Sequence, residues 1–198
     1  AGTVDFSPTS PLGDALVILG VRRASVLWGG SVTYTYPLPR DEWTDGRVDQ
    51  GVDFVNKSAS SRILAIGKAK ILSTGAPGWP AEGGVLYELL DGPARGKVVY
   101  VYENVLPHVS PGQIVAGGQV IATMKGTGYP WLEMGWANRA GEPISHGEYT
   151  EGKETVAGKQ FRRFLSALKA SPSSGNGFSS FGPLGTAEEI ITAPAGRG

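Results

Sequence analysis

The sequence contains no cysteine in its 198 residues. This absence excludes disulfides, thiolate zinc sites and cysteine nucleophiles together. Positively and negatively charged residues both number 18, so no net charge favours nucleic acid or an anionic membrane as a partner. No apolar stretch approaches the roughly 18–20 residues of a membrane span. Histidine is also scarce: the chain has two, His108 and His146.

Glycine and proline, in contrast, are abundant. Thirty glycines and fourteen prolines indicate many tight turns and therefore β structure. The length predicts one domain with extensions. We expect an N-terminal extension at 1–40, a β domain at 41–150, a helix within 151–170 and a Gly/Ser/Pro-rich tail at 171–198. Because the chain begins with Ala1 rather than Met, we expect a processed or engineered start.

Local patterns predict the elements of the β domain. A short helix or buried strand is expected within 13–24, where periodicity does not separate the two. Alternation and turn residues predict strands at Ser31–Pro37, at Ile63–Leu72 with a bend at Gly67, at Val85–Leu90 and Lys97–Tyr102 as a hairpin, and at Trp131–Ala137, with a charged loop at 40–47.

The last two segments of the chain have distinct compositions. An amphipathic helix is predicted with one apolar face and an opposite basic face. The apolar face comprises Val156, Phe161, Phe164, Leu165 and Leu168, and the basic face comprises Arg162, Arg163 and Lys169. The tail at 171–198 offers too little apolar surface to order itself, so we expect it to pack on another subunit or protein.

The stretch Arg47–Phe54 is the centre of the predicted site. Asp49 and Asp53 lie four residues apart across Gly51, at the entry to a strand. Polar residues in three later segments are expected to converge on them: Tyr87–Glu88, Tyr102–Asn104 and Trp131–Glu133. The sequence therefore predicts a groove lined by carboxylates.

Four blocks resemble the lysostaphin-type (LytM-type) zinc endopeptidases of bacterial cell walls, in the order that the family has them. They are Asp49-Gln-Gly-Val-Asp53, Ile63-Leu-Ala-Ile-Gly67, the glycine-punctuated run at 109–121, and Trp131-Leu-Glu-Met134. The resemblance covers about residues 47–137. It implies an antiparallel β-sandwich with a groove, acting on peptidoglycan.

The chain departs from that family at the histidines. The position of the first zinc-binding histidine holds Asp49, while the family's aspartate is kept as Asp53. The histidine that ends a strand is matched by Glu103, and the final His-x-His by Trp131 and Glu133. Because zinc favours nitrogen and sulfur ligands, we expect a degenerate site without zinc, and an active zinc endopeptidase is the least favoured interpretation.

The replacements leave three hypotheses open. Carboxyl groups gathered in a groove have split pKa values, so Glu103 and Glu133 are candidates for the acid and base of a glycoside hydrolase-like enzyme, oriented by Asp49 and Asp53. The second hypothesis is a catalytically inactive structural or binding module of an assembly. The third is that the acids hold Ca²⁺ or Mg²⁺ through their oxygen atoms. No other cofactor is expected.

Aromatic residues near these segments suit a sugar, since sugars stack on such rings. Trp79, Tyr102, Trp131 and Trp136 are the candidates for substrate binding, although a tryptophan in a small β domain is more often part of the core. Cell-wall glycan or peptidoglycan is the expected partner. The resemblance extends to histidine-poor versions in cell-envelope proteins and phage tails, which implies an extracellular or virion-associated location.

Overall fold

The computed structural model describes residues 34–58, 60–76, 78–79, 83–126 and 131–170. Within them the strands are β1 (Trp43–Val48), β2 (Val52–Asn56), β3 (Arg62–Leu64), β4 (Ala69–Thr74), β5 (Gly84–Leu89), β6 (Val98–Tyr102), β7 (Val105–Pro107), β8 (Ile114–Val115), β9 (Val120–Met124) and β10 (Trp131–Ala137), followed by a 3₁₀ turn (His146–Glu148) and helix α1 (Val156–Ala170). The predictions for 13–24 and 171–198 lie outside the described residues.

The strands form two antiparallel sheets. The larger has the order β1-β2-β10-β6-β5-β4-β8, and the smaller has the order β3-β9-β7. The predicted fold class, mainly β with antiparallel sheets and one C-terminal helix, is confirmed. Neighbours β2, β10 and β6 lie side by side in the larger sheet, and they carry most of the candidate site.

The larger sheet is buried on both faces where β6 crosses it. Val99 and Val101 face the main core, to which both sheets and α1 contribute. Tyr100 and Tyr102 alternate with them and belong to a smaller apolar cluster on the other face. All five residues of β6 are therefore buried. The carboxylates lie on the same face as the two tyrosines.

Helix α1 packs on the larger sheet through an apolar stripe. The predicted Phe161, Phe164, Leu165 and Leu168 are all buried. Val156 was expected on this face but is 59% exposed, because it is the first residue of the helix and the buried position in that turn belongs to Ala157.

Arg162, on the predicted basic face, makes two contacts with the larger sheet. It donates a hydrogen bond to the carbonyl oxygen of Gly46 at 2.7 Å, and its guanidinium lies 5.8 Å from the centroid of the Phe54 ring.

Several predicted boundaries need correction. The segment Ile63–Leu72 is two strands in different sheets, because the chain turns at Gly67, where a Cβ would lie 2.6 Å from the ring of Tyr34. Residues 43–47 of the predicted loop belong to β1, and the described part of Ser31–Pro37 forms no strand. The β5–β6 hairpin and β10 are confirmed.

No helix among the described residues is long and apolar enough to cross a membrane.

Candidate functional site

Three of the predicted carboxylates meet on the larger sheet. Asp53 on β2 pairs directly with Glu133 on β10, which places both side chains on one face. Asp49 lies in the turn between β1 and β2. One carboxylate oxygen from each of the three lies within 4.8 Å of the others. The exposed fractions are 0% for Asp49, 3% for Asp53 and 4% for Glu133, so we call these residues the buried acid cluster.

The turn that carries Asp49 is fixed from several sides. The backbone amide of Asp49 donates a hydrogen bond to the carbonyl oxygen of Gly51 at 3.1 Å, and Asp49 Oδ1 accepts one from the amide of Gln50 at 2.7 Å. The Asp49 carbonyl accepts from the Thr155 amide at 3.0 Å and from Thr155 Oγ1 at 2.7 Å. Thr155 also caps α1, since its Oγ1 accepts from the Gly158 amide at 3.0 Å. The helix start therefore holds the turn in place.

A glycine is required at position 51 by close packing. A Cβ there would lie 2.6 Å from Glu133 Oε1 and 2.6 Å from the carbonyl oxygen of Met134. The turn therefore approaches β10 as closely as its backbone allows, and this approach brings Asp49 to Glu133.

Arg47, for which the sequence predicts no role, contacts two of the three acids of the cluster. Its Nε lies 2.5 Å from Asp53 Oδ2 and 3.5 Å from Asp49 Oδ2, while Nη1 pairs with Glu151. The pairing of β1 with β2 is irregular between Asp45 and Val48, and such bulges redirect side chains near functional sites. The expectation of a loop at 40–47 hid this residue. A hairpin closing at Gly51 would have placed Arg47 beside Asp53.

Aromatic side chains form one side of the site. The Tyr100 hydroxyl donates to Glu133 Oε1. The rings of Tyr100 and Tyr102 have centroids 5.1 Å apart, and Trp79 lies 5.6 Å and 5.2 Å from them. Trp131 is partly exposed and lies two residues before Glu133, on the same face of β10. Of the predicted sugar-binding residues, Trp79, Tyr102 and Trp131 thus lie on the face of the acids.

The predicted position of Trp136 beside the acids needs correction. Trp136 is three residues after Glu133 and so faces the opposite side of β10. Its ring packs at 4.9 Å from Phe161 and 5.2 Å from Phe164, beneath α1, and it is 4% exposed. Trp136 therefore does not share the face of the acids with the other three predicted aromatic residues.

Tyr87 and Glu88 do not join the site either. Tyr87 lies in the main core, on the other face from the acids. Glu88 pairs with Arg139 at 2.8 Å and lies opposite Val98, at the far end of β6 from Tyr102. The predicted convergence therefore holds for two of the three segments.

Glu103 lies beside the buried acid cluster without belonging to it. It directly follows β6 and is partly exposed. Its backbone is left-handed, with φ 75°, and that of Asn104 is also left-handed, with φ 50°. Asparagine adopts this conformation readily, but glutamate does not. Such strain is concentrated at functional sites.

The protein environment raises the pKa values of Glu133, Glu103 and Asp53. Burial raises the pKa of Glu133 to about 8, opposed by the hydrogen bond from Tyr100 and reinforced by the charges of Asp49, Asp53 and Glu103. Burial, together with the charge of Asp53, raises the pKa of Glu103 to about 7, against the opposing charge of Arg47. Burial also raises the pKa of Asp53, although its hydrogen bond with Arg47 acts in the other direction.

The residues present do not fit zinc. The clustered donors are three carboxylates, with no imidazole nitrogen among them, and two of the three already contact Arg47. His108 is hydrogen-bonded at 2.9 Å to Thr123 Oγ1 on the smaller sheet, away from the cluster. Oxygen donors alone suit Ca²⁺ or Mg²⁺ better, but Arg47 contacts two of the same three residues.

Comparison with known proteins finds solved structures with a similar fold. No family model and no curated protein matches the chain. Lysostaphin in solution is 17% identical and aligns over 74% of this chain and 59% of its own, with a TM-score of 0.49. The likeness is one of fold alone. Lysostaphin from Staphylococcus simulans is 18% identical and aligns over 72% of this chain and 57% of its own, with a TM-score of 0.48. A zinc-containing peptidase from Vibrio cholerae is 17% identical and aligns over 58% of this chain and 39% of its own, with a TM-score of 0.44. The chain thus matches less than two thirds of the length of each of these three proteins.

Proposed function

We propose that this chain is a non-catalytic binding module for cell-wall material, in which an ion-paired acid cluster stands where the peptidases hold their metal. The observation that carries the proposal is the burial of Asp49, Asp53 and Glu133 together with the contacts of Arg47. Asp49 and Asp53 are ion-paired with Arg47, and Glu133 accepts a hydrogen bond from Tyr100, so all three acids are engaged by side chains of the protein. They have little surface left for a substrate.

The rest of the face supplies the means of binding. Trp79 and Trp131 are partly exposed beside the cluster, and aromatic rings are the side chains on which sugars stack. Glu103 is partly exposed too and offers a hydrogen-bonding group at the edge. Cell-wall peptidoglycan or its glycan as the ligand follows from the four sequence blocks that resemble lysostaphin-type peptidases.

Co-sedimentation with purified peptidoglycan tests this proposal. The unmodified chain should sediment with the wall fraction and release neither reducing sugar nor free amino groups. Trp131→Ala should weaken binding by about threefold to tenfold, the equivalent of about 0.5–1.5 kcal/mol from one lost aromatic contact. Leu106→Ala is the matched control, because Leu106 is 46% exposed on the smaller sheet. Failure of the unmodified chain to sediment would refute the proposal.

A second candidate function, hydrolysis of wall polysaccharide, is supported by the raised pKa values of Glu133 and Glu103. A protonated Glu133 would act as the general acid, and an ionised Glu103 as the base or nucleophile. Replacing either with Gln should abolish release of reducing sugar while binding survives. Turnover that persists in both Gln variants would remove these two residues from the mechanism.

An assembly role belongs to the same proposal. Contact with other subunits through 171–198, and an extracellular or virion-associated location, come from the sequence composition and the resemblance. Deletion of 171–198 should leave the melting temperature of the domain almost unchanged if that segment binds a partner instead of the domain. A large fall would assign the segment to the domain itself.

A further inference from the structure

We propose that Arg47 is the cation that balances this site and takes the place of a metal ion, so that the site is complete without metal. Asp49, Asp53 and Glu133 bring three oxygens within 4.8 Å of one another, close enough to surround one ion. The guanidinium of Arg47 contacts two of these residues, through Nε at 2.5 Å from Asp53 Oδ2 and 3.5 Å from Asp49 Oδ2.

The buried acids need such a charge. Asp49 is fully buried, and its Oδ2 has no hydrogen-bond partner. A buried carboxylate without compensation is strongly unfavourable, and removing the partner of a buried ion pair is correspondingly costly. Arg47 supplies a positive charge within 4 Å of both Asp49 and Asp53.

Arginine is suited to this role by its shape. Its charge is permanent, and its planar group presents donors in several directions at once. Arg47 uses this geometry to hold two acids of the β1–β2 hairpin through Nε and Glu151 of the later loop through Nη1. The inference concerns the charge balance of the cluster and does not depend on what the face binds.

Divalent cations and a methionine variant provide the test. Arg47→Met removes the charge and keeps most of the chain length. Melting is measured in EDTA and in MnCl₂, with Mn²⁺ as the probe because oxygen donors suit it. The control is Arg62→Met, since Arg62 is similarly exposed, at 52% against 48%, and pairs with Glu42 outside the cluster.

The unmodified protein should carry no stoichiometric metal and should melt at the same temperature in both solutions. Arg47→Met should melt roughly 5–10 °C lower in EDTA, given about 2–4 °C per kcal/mol for a chain of this size. Mn²⁺ should restore a large part of that loss. The melting temperature of Arg62→Met should differ from that of the unmodified protein by about 2 °C or less and should not respond to Mn²⁺.

Two further results decide the remaining cases. Arg47→Lys keeps the charge, so it should fold in EDTA and stay insensitive to Mn²⁺. If Arg47→Met does not fold in EDTA, its refolding yield should rise with Mn²⁺, whereas that of Arg62→Met should not. A metal ion in the unmodified protein, or an Arg47→Met variant that ignores Mn²⁺ under every condition, would overturn the proposal.

Discussion

The buried carboxyl of Glu133 makes the stability of the domain depend on pH. A carboxyl whose pKa is higher in the folded protein than in the unfolded chain binds more protons when folded. Its effect is therefore small below the ordinary value of 4.5, becomes increasingly destabilising as the pH rises, and is complete above about 8. Replacing Glu133 by Gln should remove this loss while keeping an oxygen that accepts from the Tyr100 hydroxyl.

The magnitude follows from the interval between the two pKa values. From 4.5 to about 8, at about 1.4 kcal/mol per pH unit, the upper bound is about 5 kcal/mol. Neighbouring acids share their protons and the structure relaxes, so we expect about 2–3 kcal/mol at pH 9. At about 2–4 °C per kcal/mol, Glu133→Gln should melt roughly 5–10 °C above the unmodified protein at pH 9.

Thermal melts at pH 5, 7 and 9 in EDTA measure this effect. The quantity of interest is the difference between the variant and the unmodified protein, because groups elsewhere affect both equally. That difference should be smallest at pH 5 and should grow at each step. Glu148→Gln is the control, since Glu148 is an exposed carboxylate in the 3₁₀ turn. A difference that stays constant from pH 5 to pH 9 would show that Glu133 is not held protonated by burial.

Two more predictions concern the contact between α1 and the Asp49 turn. Thr155→Val should cost about 1–2 kcal/mol in urea unfolding because it removes the helix cap and the hydroxyl hydrogen bond to the Asp49 carbonyl, whereas Thr155→Ser should keep nearly full stability. Gly158→Ala should cost about 1–3 kcal/mol, since its Cβ would overlap the Asp49 carbonyl oxygen, and Gly147→Ala, with nothing within 4 Å, is its control. Equal stability of the two alanine variants would contradict the packing described here.

Sequence reasoning succeeded where one periodicity dominates a segment. The 3.6-residue pattern predicted the stripe from Phe161 to Leu168, and the strand predicted at Trp131–Ala137 matches β10. The meeting of Asp49, Asp53 and Glu133 came from the spacing of blocks that resemble a known family. Their contact is set by strand pairing between β2 and β10, which no local pattern encodes.

The failures of prediction from the sequence have physical causes. The apolar run Ile63–Leu72 lacks a period that would reveal its division between two sheets. The distant ring of Tyr34, which leaves no room for a Cβ at Gly67, is not visible in the local sequence either. The grouping of Trp136 with the aromatic residues beside the acids was avoidable, because its odd separation from Glu133 places the two on opposite faces of a strand. Arg47 was missed because β1 was predicted as a loop, and a loop gives no direction to its side chains.

The clamp between Thr155 and Asp49 has a consequence for the order in which the molecule is assembled. The two residues are 106 positions apart, so the turn is synthesised early and its carbonyl finds its partners only when the end of the domain has emerged. Contacts of such separation form late, since a long loop must close first. A fragment ending before Thr155 would contain every carboxylate of the acid cluster and still lack the two hydrogen bonds from Thr155 that hold the Asp49 turn.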